Sequence, residues 1–398
     1  MRIGIDARFY GPSGKGLGRY VQEVVDRVIA INIKEQENKK TTQTEIEFLV
    51  FLSPDNFADY HCPSPLVKKV LWRVPWYSWQ EQLILPWLIW RARLDLIHFP
   101  HFNVPILTPT KFIVTIHDLI LTYFPSPRAS TLSPIKYYFK NLAYRLVIKT
   151  AIRRARVIIA VSEFTKQDLI KKFSAPAEKI KVTHEGVADL DKDGTKFFQQ
   201  SAAENLAIFK LLNKPFFLYV GSAYPHKNLE TLLEIFKLFL AAEPQAQLAL
   251  VGKSDYFYQR LSRQAESLGL WKKGAENNPV VFLGQVSDAQ LASLYQAARV
   301  FIFPSLYEGF GLPPLEAMAY QCPVLSSDQG SLPEVLGEAA VYFNPSNQEE
   351  SVKKMLAIFH NEAERQELQK RGLKQVAKYD WQRCAMDTWQ IYLSVIHE

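Results

Sequence analysis

The sequence predicts a doubly wound α/β protein in which one parallel-sheet architecture is used twice. Three observations predict it: short apolar runs, helical patterns between them, and a single lapse in the alternation near the middle of the chain. In the first half the runs cover residues 3–6, 46–52, 95–99, 112–116, 157–161 and 180–183. In the second half they cover 216–220, 247–251, 280–283, 300–303, 323–326 and 339–343. They are continuously apolar rather than alternating, as expected for parallel strands covered on both faces. Between them, residues 228–242 place Leu229, Leu232, Ile235, Phe236 and Phe239 on one helical face. Ser287 and Asp288 supply a cap for the helix that follows. Strand–helix alternation of this kind belongs to doubly wound folds.

The lapse spans residues 189–213 and opens on Asp189, Asp191, Asp193 and Gly194. The predicted organisation is therefore an N-terminal domain over 1–190, a linker over 191–213 and a C-terminal domain over 214–378. An aromatic-rich helix over 379–398 follows the last strand and is expected to pack back on the N-terminal domain. A chain of 398 residues is long enough for two such domains.

Composition narrows the classes. Hydrophobic residues make up 48% and charged residues 22%, so collagenous, disordered and coiled-coil classes are excluded. Cys62, Cys322 and Cys384 lie far apart, which suggests neither a disulfide framework nor a cysteine zinc site and fits a reducing compartment. Met1 leads directly into a strand rather than a signal peptide. The longest apolar run, Leu83 to Trp90, is too short to span a bilayer. A cytoplasmic protein is expected, free or peripheral on the inner face of a membrane.

The net charge of +7 is unevenly placed. Arg128, Lys136, Lys140, Arg145, Lys149, Arg153, Arg154 and Arg156 occur without an intervening acidic residue. Such a block attracts phosphates or anionic lipid, or it is a solvated helix face. Trp72, Trp76, Trp79, Trp87 and Trp90 fall within nineteen residues. They are read either as core or, with the basic block, as an interfacial surface. On the second reading Lys136, Lys140, Arg145 and Lys149 face the membrane or a lipid-linked acceptor.

Ligands of open parallel sheets bind beyond the carboxyl ends of the strands, so the residues after each strand carry the functional reading. After 300–303 comes Pro304-Ser305-Leu306-Tyr307-Glu308-Gly309-Phe310-Gly311-Leu312-Pro313-Pro314-Leu315-Glu316. Glu308 and Glu316 are separated by seven residues. Gly309 and Gly311 permit a tight backbone with free amides, and the prolines suit the first turn of a helix. The expected result is an anion site at a helix N-terminus with Glu308 before it and Glu316 just inside the helix. A plain strand–turn–helix junction explains the same residues, with Glu316 as a first-turn partner of the helix dipole.

After 216–220, Gly221 and Ser222 precede His226, Lys227 and Asn228. Lys227 near a helix start can neutralise a leaving diphosphate; a surface lysine is the bland alternative. Gly11, Gly14, Gly16 and Gly18 fall within eight residues, yet the Walker A spacing is absent. His117 and Asp118 follow 112–116, which favours a functional histidine. His98 and His101 follow another strand, but no carboxylate stands beside them at ligand spacing, so a metal is not expected.

Taken together, these segments resemble the family 4 glycosyltransferases of the GT-B fold, the glycosyl transferases of group 1. The resemblance rests on Ile3-Gly4-Ile5-Asp6-Ala7-Arg8, Gly16-Leu17-Gly18-Arg19-Tyr20, Thr115-Ile116-His117-Asp118, Val161-Ser162-Glu163-Phe164-Thr165, Pro225-His226-Lys227-Asn228, Leu283-Gly284-Gln285-Val286-Ser287-Asp288, the Glu308/Glu316 pair and Gly330-Ser331-Leu332-Pro333-Glu334-Val335. It implies two Rossmann-like domains with an interdomain cleft, the first for the acceptor and the second for a nucleoside-diphosphate sugar such as GDP-mannose or a UDP-hexose. It implies a retaining, metal-independent hexosyltransferase acting on a glycan or lipid-linked acceptor, with no cofactor and no nucleic-acid partner.

By that resemblance Glu308 contacts the donor sugar and Glu316 the ribose. Lys227 and the amides of Gly309, Phe310, Gly311 and Leu312 hold the diphosphate, with Ser222 and His226 beside them. His117 lies near the transferred sugar, and Gly16 and Gly18 near the phosphates. Gly252, Lys253 and Val286 border the base. Family members often carry an arginine at the position of His226 or Ser222; here Lys227 is the evident cation. Two rival readings are a nucleotide-sugar epimerase of the same fold and a non-catalytic, membrane-associated nucleotide-sugar binder.

Overall fold

A computed structural model describes residues 1–11, 15–38, 45–125, 133–187, 215–275 and 277–397. The expected linker, Arg128 and the tip of the first glycine loop (residues 12–14) lie outside the described residues. The chain divides into two units, Met1–Gly186 with Asp380–Glu398, and Val187–Tyr379.

The first unit contains β1 (Arg2–Asp6), α1 (Lys15–Asn38), β2 (Glu47–Leu52), β3 (Val67–Leu71), α2 (Trp79–Ala92), β4 (Leu96–Phe99) and β5 (Phe112–Ile116). There follow α3 (Ile120–Tyr123), α4 (Pro134–Arg154), β6 (Val157–Ala160), α5 (Glu163–Phe173) and β7 (Ile180–Val182). All pairings are parallel, in the order β3-β2-β1-β4-β5-β6-β7. The order reverses at β1, and that reversal opens the crevice where such sheets bind ligands.

Strand β3 was not expected from the sequence. Its residues read Val-Lys-Lys-Val-Leu, and the two lysines break the apolar run. The physical reason is position: β3 is an edge strand, where charge is tolerated and blunts pairing with other chains. Lys68 pairs with Glu47 on β2. Lys69 donates to the carbonyls of Phe57 and Tyr60 at 3.0 and 2.9 Å.

The second unit contains β8 (Phe216–Val220), α6 (Leu229–Phe239), β9 (Gln247–Val251), α7 (Tyr256–Ser267), β10 (Val280–Gly284), α8 (Asp288–Ala297) and β11 (Val300–Phe303). It continues with α9 (Leu312–Ala319), β12 (Val324–Ser327), α10 (Leu332–Leu336), β13 (Ala340–Phe343), α11 (Gln348–His360) and α12 (Glu362–Val376). Its strand order is β10-β9-β8-β11-β12-β13, again all parallel. The reversal falls at β8, so the ends of β8 and β11 face one crevice. Helix α8 starts where Ser287 and Gln290 form a reciprocal capping box.

Helix α13 (Trp381–Ile396) belongs to the first unit. Trp381, Trp389 and Tyr392 join a buried cluster with Ile5, Phe48 and Val25. The indole of Trp389 donates to Glu35 at 3.1 Å. A buried tryptophan removes roughly 200 Å² from water, worth about 5 kcal/mol before the entropy of ordering.

Candidate active site

In the second unit the site is built at the ends of β8 and β11. Beyond β8, Gly221 adopts φ 153° and a short 3₁₀ turn, Pro225–Lys227, leads into Asn228 at φ 60°. That turn presents Lys227, and α6 begins one residue after Asn228. Beyond β11, residues 304–311 run to Gly311, whose φ of 103° begins α9. The carbonyl of His226 accepts from the Leu306 amide at 2.8 Å, tying the two loops together. Lys227 Nζ then stands 2.6 Å from Glu308 Oε1. The two side chains are only 16% and 10% exposed, so the pair is held out of bulk water and its geometry is fixed.

Glu308 is braced from behind. Ser331 Oγ donates to the Glu308 carbonyl at 3.0 Å and to that of Phe310 at 2.9 Å. The Ser331 amide also reaches Glu308 O at 3.2 Å. Gly330, at φ 67°, lies against the Glu308 backbone, where a β-carbon would meet Glu308 N at 2.8 Å. Lys227 Nζ also sits 5.4 Å from the centre of the Phe303 ring. His226 stacks on Tyr224, and burial holds its pKa down to about 4 despite the nearby Glu308 carboxylate. It is therefore neutral at physiological pH and supplies no second cation.

Glu316 does not lie in the first turn of α9: that turn carries no acidic residue, and Glu316 follows it. Its role as a first-turn dipole partner is thereby corrected. Tyr295 reaches its Oε2 at 3.5 Å. Helix α9 begins at Leu312, directly after Gly311 and with prolines in its first turn.

The ends of β8, β9 and β10 form a second cluster. Tyr258 donates to the carbonyls of Gly221 and Val251, both at 2.9 Å. The Gly252 amide bonds Gly284 O at 3.0 Å. A β-carbon on Gly252 would collide with the Gly221 carbonyl and the Tyr258 hydroxyl, so the position accepts only glycine. Ser222 receives Tyr219 OH on its carbonyl at 2.8 Å. Lys253 is exposed and Val286 half-buried at the rim of this cluster.

In the first unit, His117 follows β5. Its Nδ1 is 2.9 Å from Glu185 Oε1 and its Nε2 is 3.0 Å from the Pro100 carbonyl. The Pro100 carbonyl and the Glu185 carboxylate both favour a proton on the ring. Burial opposes the charge, but the Glu185 carboxylate and the Pro100 carbonyl outweigh it and the pKa is raised. Sequence reasoning missed Glu185, which lies three residues beyond the end of β7, whereas His117 follows β5 immediately.

The glycines after β1 differ in kind. Gly16 is exposed with open space where a side chain would be. Gly18 is buried, and a β-carbon there would meet the Phe9 and Gly11 carbonyls, which makes it a packing glycine. His98 lies within β4 rather than after it. It is fully buried between Tyr392 OH at 2.6 Å and Thr115 Oγ1 at 2.8 Å, and burial pushes its pKa down to about 3. Among the described residues no cluster of three or more His, Cys, Asp or Glu is placed to hold a metal ion.

Another network joins the end of β1 to the start of α2. The buried Arg8 guanidinium pairs with Asp6 and Glu81, each at 2.7 Å. It lies 3.9 Å from the centre of the Trp76 ring and 5.5 Å from that of Trp72. Asn103 completes the carboxylate's contacts. Trp72 and Trp76 are therefore structural. Lys136, Lys140, Arg145 and Lys149 stand exposed on α4.

The description "Glycosyl transferases group 1" matches residues 203–375 and "Glycosyltransferase Family 4" residues 43–189. The O-antigen chain mannosyltransferase B of Escherichia coli is 30% identical over 75% of this chain and 74% of its own length. The O-antigen chain mannosyltransferase RfbU of Salmonella typhimurium is 29% identical over 69% of this chain and 67% of its own. Among solved structures, the sucrose-phosphate synthase of Thermosynechococcus elongatus superposes with a TM-score of 0.74 at 21% identity, over 100% of this chain and 99% of that one. The chain belongs to the family 4 glycosyltransferases, the glycosyl transferases of group 1, and has their GT-B fold of two Rossmann-like domains.

Proposed function

We propose that the protein is a retaining hexosyltransferase that moves mannose from GDP-mannose, or a hexose from a UDP-sugar, to a hydroxyl of a glycan or lipid-linked acceptor. The observation that carries the reading is the shielded Lys227–Glu308 pair beside the amides that open α9. An ammonium and a row of backbone N–H groups suit a diphosphate, and a neighbouring carboxylate suits sugar hydroxyls. The names of the two mannosyltransferases favour mannose.

In this mechanism Lys227 and the amides of Gly309–Leu312 bind the diphosphate and take up the charge that grows on it. Glu308 orients both Lys227 and the hexose. Glu316 accepts from the ribose, and Gly252, Lys253 and Val286 border the base. The bond from the anomeric carbon to the diphosphate oxygen breaks, and the bond to the acceptor oxygen forms on the same face. The acceptor's proton passes to the departing diphosphate. Retention here needs no covalent glycosyl-enzyme, unlike glycosidases with paired carboxylates.

For the first unit, Gly16 is assigned to the phosphates and His117 to the sugar. His117 acts by exchanging the Pro100 carbonyl for a sugar hydroxyl while Glu185 holds the ring. Gly18, Ser222 and His226 shape the loops that bear these groups.

Because Lys227 and the helix amides neutralise the leaving group, a divalent ion is not needed in this reading. Turnover of GDP-mannose and UDP-hexoses with an acceptor, followed in excess chelator, tests it. Transfer that persists is expected. Strict dependence on Mg²⁺ or Mn²⁺, or release of a free epimer without transfer, would contradict it.

A further inference from the structure

Two helices of the first unit bury one apolar face and expose another. On α2, Leu85 and Ile89 are buried, while Trp79, Leu83, Trp87 and Trp90 stand in solvent, Trp79 at 86% exposure. The spacing 79, 83, 87, 90 sets them along one stripe. On α4, Tyr144, Val147, Ile148 and Ala151 are buried, while Ile135, Tyr138, Phe139, Leu142 and Leu146 are exposed, Ile135 at 73%. Each stripe spans twelve residues, about 17 Å of helix from first to last.

The two stripes are joined. In the loop at 105–108 the Ile106 amide donates to Gln82 Oε1 of α2 at 2.9 Å. Arg154 of α4 donates to the carbonyls of Ile106 and Thr108. That loop carries Leu107, itself 71% exposed. At the other end Lys140 Nζ lies 5.5 Å from the centre of the Tyr77 ring, just ahead of α2. An exposed apolar surface of this extent marks a binding face.

Charge identifies the occupant. Lys136, Lys140, Arg145 and Lys149 are all exposed on α4, and Arg145 and Lys149 lie beside or within its apolar stripe by helical phase. Arg91 lies over Trp87, 5.5 Å from the ring centre. No acidic residue occurs between Asp118 and Glu163. The acidic residue of α2, Glu81, is buried against Arg8. Aromatic and aliphatic side chains ringed by cations, with no exposed carboxylate on either helix, match the headgroup and acyl boundary of an anionic bilayer.

We infer that the α2 and α4 faces together dock the first unit onto an anionic lipid membrane, with Trp79, Leu83, Trp87 and Trp90 and the α4 stripe entering the acyl boundary. No helix among the described residues is long and apolar enough to cross a membrane, so the attachment is reversible and salt-sensitive.

The test is sedimentation of the full chain with vesicles of phosphatidylcholine alone and of phosphatidylcholine with about a third phosphatidylglycerol, at low and moderate salt. Binding to the anionic vesicles is expected, with a blue shift of tryptophan emission. Each cation near the surface contributes roughly fivefold, so replacing Lys136, Lys140, Arg145 and Lys149 by Ser lowers affinity about a hundredfold or more. Replacing Trp79, Trp87 and Trp90 by Gln removes the emission shift and weakens binding to the same vesicles. These side chains are exposed, so the melting temperature serves as a control for folding.

No binding to either vesicle overturns the inference, as does binding that neither set of substitutions changes. Lipid-free dimerisation abolished by the tryptophan substitutions would assign the face to a second copy and also overturn it. The readout is binding rather than transfer, so its failure leaves the transfer chemistry untouched, and the reverse holds.

Discussion

Lys227→Ala is expected to lower hexosyl turnover by about 100–1000-fold, the usual cost of removing one charge-stabilising donor. The ammonium sits 2.6 Å from Glu308 and is mostly shielded from water, and His226 beside it is held neutral and cannot stand in for it. The unit should stay folded but melt earlier. Removing Lys227 leaves the Glu308 carboxylate shielded and without its counter-charge, at most about 3 kcal/mol. That is roughly 2–4 °C of melting temperature per kcal/mol in a unit of this size. Steady-state kinetics on the variant decide the matter; near-normal turnover would mean that the site is wrongly assigned.

Gly330→Ala is expected to act on the same site from behind. At φ 67° an alanine is strained by about 1–2 kcal/mol. Its β-carbon would press on the backbone of Glu308, 2.8 Å from N and 3.0 Å from O. Displacement of a catalytic group by an ångström can cost about a hundredfold, so a shift of a few tenths should cost about tenfold in turnover. Gly269→Ala is the control. Gly269 has φ 76° but open space around its missing side chain, so that variant should lose comparable stability and keep its turnover. Equal losses of turnover in both variants would show that Gly330 reports only strain.

Most of the fold was legible because parallel strands buried on both faces write themselves as apolar runs, and twelve such runs have their strands. The exception, β3, carries Lys68 and Lys69 at a sheet edge, where the burial that writes the pattern is absent. The loops of the second unit could be read from the sequence because Gly221 opens the one after β8 and Gly309, Gly311 and the prolines lie in the one after β11. What supports them could not: Ser331 and Gly330 act through the backbone of Glu308, a contact between two loops with no sequence period.

The tryptophans show where composition stops. Five fall close together, yet Trp72 and Trp76 pack on Arg8 while Trp79, Trp87 and Trp90 face solvent. Trp72 and Trp76 precede α2, while the phase of α2 against its buried Glu81, Leu85 and Ile89 turns Trp79, Trp87 and Trp90 outward. In α4 both faces are apolar, so no single amphipathic stripe stands out in the sequence. His117 was visible at a strand end, but the carboxylate that raises its pKa belongs to Glu185, which lies 68 residues away in the chain.

The central claim is that the hexose passes with its anomeric configuration retained, from a nucleoside diphosphate held by Lys227 and the α9 amides. The most direct test is nuclear magnetic resonance of the product formed from an α-configured nucleotide sugar, reading the one-bond carbon–proton coupling at the new linkage. An α-linkage formed together with free nucleoside diphosphate is the predicted result. A β-linkage, or release of the diphosphate with no sugar on the acceptor, would contradict it.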